Sequence, residues 1–145
     1  MANVTTIPEL IAAGSGAAPA LGAPGRPDLG YGELRQQVAA TVAALNRLGV
    51  GRDDPVAIVL PNGPEMASAF VSIASGATTA PLNPAYTAEE FRFYLQDLAA
   101  RLLVVEAGSS SPAVTVARDL GIPVAELLVP AGAAAGRFEL RGTAG

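Results

Sequence analysis

The chain has 145 residues and a formal net charge of −4, with half of its residues hydrophobic and 15% charged. This composition is enough for one buried core and argues against wholesale disorder. The sequence contains no Cys, His or Lys, which excludes disulfides, thiolate chemistry, an imidazole general base and Schiff-base catalysis. The nine basic residues are all Arg and are scattered along the chain, so a nucleic-acid surface is not expected.

The location expected from the sequence is the cytoplasm. Residues 1–9 carry neither a positively charged start nor an apolar run of the kind that forms a secretory signal. The most apolar stretch, residues 66–82, is interrupted by Ser, Thr, Gly and Pro. We therefore expect no membrane span.

The first 30 residues predict a leading helix followed by a Gly/Pro-rich segment. Thr6 is suited to cap a short helix that has Pro8 in its first turn. Within the Gly/Pro-rich segment, residues 20–22 and Leu29 predict a short hairpin.

From residue 31 onwards, helical and strand patterns alternate. Apolar residues at steps of three or four predict a long helix over residues 31–48, with Gly49 as its C-cap. A continuous apolar run over residues 56–60 predicts a strand covered on both faces. The next helix is expected to begin at Pro64 and to end at Gly76. Its expected buried face consists of Met66, Ala69, Phe70 and Ile73.

The second half continues this alternation. Residues 78–82 predict a strand, and Thr87 with Glu90 predicts a capping box that opens the next helix. The remaining elements are a strand over residues 102–105, a helix from Pro112 to Gly121, a strand over residues 124–129, and residues 138–140, which can form a fifth strand.

This order predicts an α/β fold with a parallel sheet and helices on both of its faces. We expect a single, incomplete α/β unit over residues 1–145. It divides into a leading helix and Gly/Pro-rich segment (1–30), βα units (31–129), and a loop with an edge strand (130–145). Residues 131–136 are expected to form a flexible loop.

The glycine pairs and the serine cluster have structural interpretations. A dinucleotide-binding fingerprint lies directly after a strand and at the start of a helix. The pairs at residues 14–16 and 49–51 are not in such a position. They predict loops or caps. The three serines at residues 109–111 stand directly before Pro112, which predicts an N-cap cluster and not a nucleophile.

The paired carboxylates are also better explained by structure. Glu89 and Glu90 have the side chains needed for a Mg²⁺ or acid/base site. However, they fall in the first turn of a predicted helix, where acidic side chains stabilise the helix through its dipole. Asp53 and Asp54 before Pro55 predict a turn.

Two tyrosines flank the predicted capping box. Tyr94 belongs to the apolar row of its helix, whereas Tyr86 lies in a loop and is freer to serve a partner or a substrate. The sequence does not choose between a structural and a functional role for either tyrosine.

Four segments have residue patterns more specific than their predicted helices, strands and turns require. In chain order they closely resemble the early region of AMP-forming acyl-CoA synthetases, members of the adenylate-forming superfamily. The resemblance covers about residues 5–129. The segments are LGYGEL (29–34), LPNGPEM (60–66), GATTAPLNPAYT (76–87) and EFRFYL (90–95).

The resemblance implies a two-step reaction in a parent enzyme, in which a carboxylate attacks ATP and the thiol of coenzyme A then displaces AMP. It implies ATP, Mg²⁺ and coenzyme A as cofactors, and a fatty acid or another small carboxylic acid as substrate. It also implies a Ser/Thr/Gly-rich phosphate loop that ends in Lys. This sequence lacks that motif, so no catalytic, cofactor-binding or metal residue is assigned, and we expect the chain alone to be catalytically incompetent.

Two alternatives to this ligase fragment stay open at this point. One is a standalone, non-enzymatic α/β module that binds a protein partner. A flavodoxin-like nucleotide binder is less favoured, because no phosphate-gripping loop is visible. For the fragment itself, the expected partners are the remainder of the large domain or a second copy, joined through an open sheet edge.

Overall fold

The computed structural model describes residues 6–12, 16 and 18–142. The predicted glycine loop at residues 14–16 therefore lies outside the described residues, apart from Gly16. The helices are α1 (Ile7–Ala12), α2 (Tyr31–Arg47), α3 (Pro64–Ala74), α4 (Ala88–Asp97) and α5 (Pro112–Asp119). The strands are β1 (Pro19–Leu21), β2 (Leu29–Gly30), β3 (Pro55–Val59), β4 (Thr78–Pro81), β5 (Leu102–Glu106), β6 (Val124–Leu128) and β7 (Glu139–Gly142).

A five-stranded sheet in the order β4-β3-β5-β6-β7 forms the centre of the structure. Its first four strands are parallel, which confirms the predicted fold class. The last strand, β7, runs antiparallel to β6. It forms one edge of the sheet, and β4 forms the other.

Helices cover both faces of this sheet, as predicted. On one face α2 and α3 pack against alternate residues of β3, β5 and β6, and on the other face α4 and α5 pack against the intervening residues. This division follows from the pleat of a strand, which directs successive side chains to opposite faces. Within β3, Val56 and Ile58 belong to the first layer and Ala57 and Val59 to the second.

The leading segment packs on α2 and not on the sheet. The predicted hairpin is confirmed, since β1 and β2 pair antiparallel. The predicted cap of the first helix is also confirmed, because the Glu9 N–H donates to Thr6 Oγ1 at 3.3 Å. Ile11, Leu29, Leu34 and Val38 form a third apolar cluster there. None of the helices in the described part of the chain is long and apolar enough to cross a membrane.

The buried face of α3 differs from the prediction. Ala69 and Ile73 are fully buried as expected, but Phe70 is 41% exposed. Two serines of the same helix, Ser68 and Ser72, are buried instead. Their hydroxyl oxygens make no hydrogen bond with any described residue. Small side chains therefore occupy the side of α3 that the neighbouring elements approach most closely.

The loop before β7 also differs from the prediction of a flexible segment. Ala135 and Gly136 are buried. The Ala135 N–H donates to Pro27 O at 2.9 Å, and the Arg26 guanidinium donates to Ala134 O at 3.0 Å. The loop is therefore tethered to the segment between β1 and β2, which local sequence signals could not indicate.

Candidate functional site

The strand order reverses direction between β3 and β5. From β3 the chain crosses through α3 to β4 on one side, and from β5 it crosses through α5 to β6 on the other. In open α/β sheets, ligands bind outside the carboxyl ends of the strands at such a reversal. A crevice of about 340 Å³ lies at this end of β3 and β5. Its lining consists of residues 60–66, Glu106, Ala107, Leu127 and Val129.

The sequence between β3 and α3 builds one wall of the crevice. Pro61 follows the end of β3, and Pro64 occupies the first position of α3, where a missing N–H costs no helical bond. The turn is consequently short, and α3 begins at the crevice. Most of the other lining side chains are apolar, and Val129 is 46% exposed.

Two carboxylates, Glu65 and Glu106, are the charged groups of the crevice lining. Glu65 forms an ion pair with Arg26. The same guanidinium donates to Ala134 O, so Arg26 links the crevice wall to the loop before β7. The described lining contains no basic side chain. The ion pair with Arg26 offsets the charge of Glu65, so the negative charge of the lining comes mainly from Glu106.

A metal centre is not built by the described side chains. Across residues 6–12, 16 and 18–142, no group of three or more acidic side chains lies in a position to hold an ion. The crevice lining itself combines two carboxylates with mostly apolar side chains.

Tyr86 and Tyr94 form an aromatic cluster with Phe91 beside α4. The rings of Tyr86 and Tyr94 stack with centroids 5.0 Å apart, and Tyr86 meets Phe91 edge-on at 5.7 Å. A side-chain hydrogen bond with Tyr94, together with desolvation, raises the pKa of Tyr86 above its ordinary value of 10.0. The described contacts of Tyr86 thus lie within this aromatic cluster.

The predicted capping box closes the first turn of α4. Thr87 Oγ1 accepts from the Glu90 N–H at 3.2 Å, and the Glu90 carboxylate accepts from the Thr87 N–H at 3.1 Å. Glu89 is exposed in the same turn. The Glu90 carboxylate therefore completes a helix cap, as the sequence indicated.

The serine cluster and the aspartate pair have equally local roles. Ser111 Oγ accepts from the Ala113 N–H at 3.2 Å and caps α5. Ser109 Oγ accepts from the Ser111 N–H at 3.1 Å. Asp54 closes its turn by accepting from the Gly51 N–H at 2.8 Å. The structure does not bring any of these candidate residues to the crevice.

Sequence reasoning missed the crevice and the Arg26–Glu65 pair. The run from Pro61 to Pro64 marks a strand-to-helix turn, which is a usable local signal. Strand order, however, decides which turn lies at the reversal of the sheet, and that order depends on long-range pairing. Arg26 and Glu65 are 39 residues apart in the chain.

Comparison with known proteins identifies relatives that share this part of the fold. The family described as AMP-binding enzyme matches residues 9–136. An oxalate–CoA ligase from Arabidopsis thaliana is 37% identical over 105 residues, which cover 71% of this chain and 20% of that protein. A 4-coumarate–CoA ligase from Oryza sativa subsp. japonica is 36% identical over 95 residues, covering 65% of this chain and 17% of that protein.

Solved structures give the same result. A fatty acyl CoA synthetase from Mycobacterium tuberculosis matches with a TM-score of 0.54 and 25% identity, covering 65% of this chain and 18% of that chain. A benzoate CoA ligase from Burkholderia xenovorans has the same fold, with a TM-score of 0.67 at 18% identity, covering 81% of this chain and 24% of that chain. The chain spans about a fifth of the curated relatives above, and it belongs to the family of AMP-binding enzymes.

Proposed function

We propose that these residues are the first βα units of the large domain of an AMP-forming acyl-CoA synthetase. The whole enzyme would join a carboxylic acid to coenzyme A and convert ATP to AMP and pyrophosphate. The observation that carries this proposal is the family match over residues 9–136, together with relatives described as CoA ligases. The relatives suggest oxalate, 4-coumarate and fatty acids as the first acids to test.

In this proposal the 145 residues supply scaffold and contribute no catalytic side chain. The sequence contains neither Lys nor His, and the described crevice lining carries two carboxylates and no basic side chain. Adenylation requires cationic or backbone donors that stabilise charge developing on the α-phosphate. Those groups would come from other parts of the whole enzyme, and so would the sites for ATP, Mg²⁺ and coenzyme A.

The proposal also covers the boundaries and location of the unit. Residues 1–30 would form a leading segment, residues 31–129 the βα units, and residues 130–145 a loop and edge strand of one incomplete domain. The tethers from Arg26 to the loop before β7 support treating these parts as one unit. A cytoplasmic location follows from the proposed use of ATP and coenzyme A.

Carboxylate-dependent exchange of pyrophosphate into ATP tests both parts of the proposal. The assay would compare the 145-residue chain with a longer polypeptide that contains it, using oxalate, 4-coumarate and a long-chain fatty acid. We expect exchange with at least one acid for the longer polypeptide and none for the 145-residue chain.

The two ways in which the proposal can fail are distinguishable. Exchange by the 145-residue chain would contradict the scaffold role, while leaving the family activity intact. No exchange by the longer polypeptide, with a broad panel of acids and a folded sample, would contradict the ligase activity. Thermal unfolding measured on both samples provides the control for folding.

A further inference from the structure

The turn between β3 and α3 contains the dipeptide Asn62-Gly63. Both residues are exposed and lie outside helix and strand. Asparagine is a chemically labile residue, and it is most labile before glycine. The backbone nitrogen of the glycine can attack the side-chain amide of the asparagine, and glycine has no Cβ that would hinder this approach. The reaction therefore depends on whether the fold restrains these two groups.

The fold leaves both reacting groups unrestrained. Neither the Asn62 side chain nor the Gly63 N–H forms a hydrogen bond with any described residue. Gly63 has a φ of +157°, which residues with a side chain rarely adopt, and nothing lies within 4 Å of the position that a Cβ would take. The turn therefore requires glycine at position 63, and it leaves room for a ring to close.

The other described asparagines, Asn46 and Asn83, are restrained. Asn46 lies inside α2, where the following backbone N–H belongs to the helical hydrogen-bond pattern. Asn83 precedes Pro84, whose ring nitrogen has no hydrogen to lose. In addition, Asn83 Oδ1 accepts from the Ala85 N–H at 2.9 Å. The described part of the chain thus offers Asn62 as a reactive asparagine and two internal controls.

We propose that Asn62 is a site of spontaneous deamidation, which adds a third carboxylate to the described crevice lining beside Glu65 and Glu106. The Gly63 nitrogen forms a bond to Asn62 Cγ, and the side-chain nitrogen leaves as ammonia together with the proton that Gly63 loses. The product is a succinimide. Water then adds to one of its two carbonyl groups and breaks the C–N bond there, which gives aspartate or isoaspartate at position 62.

The isoaspartate product identifies this route. Direct hydrolysis of the side-chain amide gives aspartate alone, whereas a succinimide opens in two directions and also gives isoaspartate. The reacting groups are neighbours in the chain and the further reactant is water. The inference therefore depends neither on where the sequence ends nor on the proposed ligase activity.

Peptide mapping of the aged 145-residue chain tests the proposal. The folded chain would be kept at neutral and at mildly alkaline pH in water enriched in heavy oxygen, and then digested with pepsin at acidic pH, where the reaction is slow. Fragmentation in the mass spectrometer assigns each conversion to its asparagine. We expect labelled aspartate and isoaspartate at position 62, formed faster at the higher pH. This conversion should be roughly tenfold or more faster than that of Asn46 or Asn83.

Asn62→Gln is the matched control, because it keeps the amide at an exposed position but would have to close a larger ring. It should lose the conversion at position 62 over the same period. Thermal unfolding before the incubation checks that both samples are folded. A parallel incubation in guanidinium chloride gives the rate of the dipeptide without the fold, and we expect the folded chain to react at a similar rate.

Three results would overturn the proposal. The first is conversion at position 62 in the unfolded chain but not in the folded chain, which would show that the fold restrains the turn. The second is conversion that yields no isoaspartate, which would show direct hydrolysis. The third is a rate at Asn62 no higher than at Asn46 or Asn83, or an equal rate in the Asn62→Gln variant.

Discussion

The two faces of the sheet are organised by different kinds of contact. On the α4 and α5 face, the helix starts are fixed by caps between residues two or three positions apart, such as Thr87 with Glu90. On the α2 and α3 face, local contacts such as Gly30 with Glu33 are joined by two that link distant parts of the chain. Gln37 and Phe138 are 101 residues apart, and Arg26 and Ala134 are 108 apart.

This difference separates what local chemistry determines from what depends on the completed fold. A capping box satisfies backbone groups within one turn and is visible in the sequence. The tethers of the other face join residues more than 100 positions apart and have no local sequence signal. We therefore expect substitutions at the tethers to have larger effects on global stability than substitutions at the caps.

The largest effect is expected for Gly136→Ala, in the loop before β7. Gly136 has a φ of +89°, and an added Cβ would lie 2.7 Å from Leu21 Cδ1 and 3.3 Å from Pro64 O. Left-handed backbone and overpacking together should lower the free energy of unfolding by roughly 2–4 kcal/mol. Urea denaturation monitored by circular dichroism measures this change.

Gly132→Ala is the control for that prediction. Gly132 has a similar φ of +73°, but nothing lies within 4 Å of an added Cβ. Its cost should be limited to the backbone contribution of about 1–2 kcal/mol. Equal costs for the two variants would show that the loop is not packed against α3 and the hairpin.

A smaller effect is expected for Gln37→Met. This change retains the length of the side chain but removes the amide oxygen that accepts from the buried Phe138 N–H. An unpaired buried N–H should cost about 1–3 kcal/mol. Amide exchange at Phe138 should also become faster.

Gln36→Met, at an exposed position of α2, is the matched control for Gln37→Met. It should change stability by less than about 0.5 kcal/mol. Unchanged exchange at Phe138 in the Gln37 variant would contradict the tether.

The smallest effect is expected for Thr87→Ala on the other face. It removes the oxygen that caps α4, which typically costs about 1 kcal/mol. Thr115→Ala, at an exposed interior position of α5, removes a hydroxyl without removing a cap and should not destabilise. If Thr87→Ala lowered the free energy of unfolding more than Gly136→Ala does, the expected order of effects on the two faces would be contradicted.

The sequence predicted the strands, the capped helices and the hairpin, because each has a signal within a few residues. The sequence wrongly predicted that Phe70 is buried. Hydrophobic spacing identifies an apolar stripe on a helix, but it does not show which side of that stripe packs closest to the neighbouring helix. Close contact in that region favours small residues, as shown by Gly76, where an added Cβ would lie 2.9 Å from Val42. Ser68 and Ser72 fill the corresponding positions on α3.

The caps of α4 and α5 were predictable from the sequence, because Glu90 and Ser111 lie within three residues of the N–H groups they accept from. The crevice cannot be located without knowing the strand order. Its link to the loop before β7 depends on Arg26, which contacts both Glu65 and Ala134. The same limitation applies to β7, whose antiparallel direction no local pattern indicates.

The central proposal is that these 145 residues serve as scaffold and do not bind the nucleotide by themselves. A nucleotide-binding measurement tests it most directly. Equilibrium dialysis of the 145-residue chain against radiolabelled ATP with Mg²⁺ should show no saturable binding, because the crevice lining offers carboxylates and no basic side chain. Saturable binding that unlabelled ATP displaces would contradict the claim. Such a result would show that these residues hold the nucleotide without the rest of the enzyme.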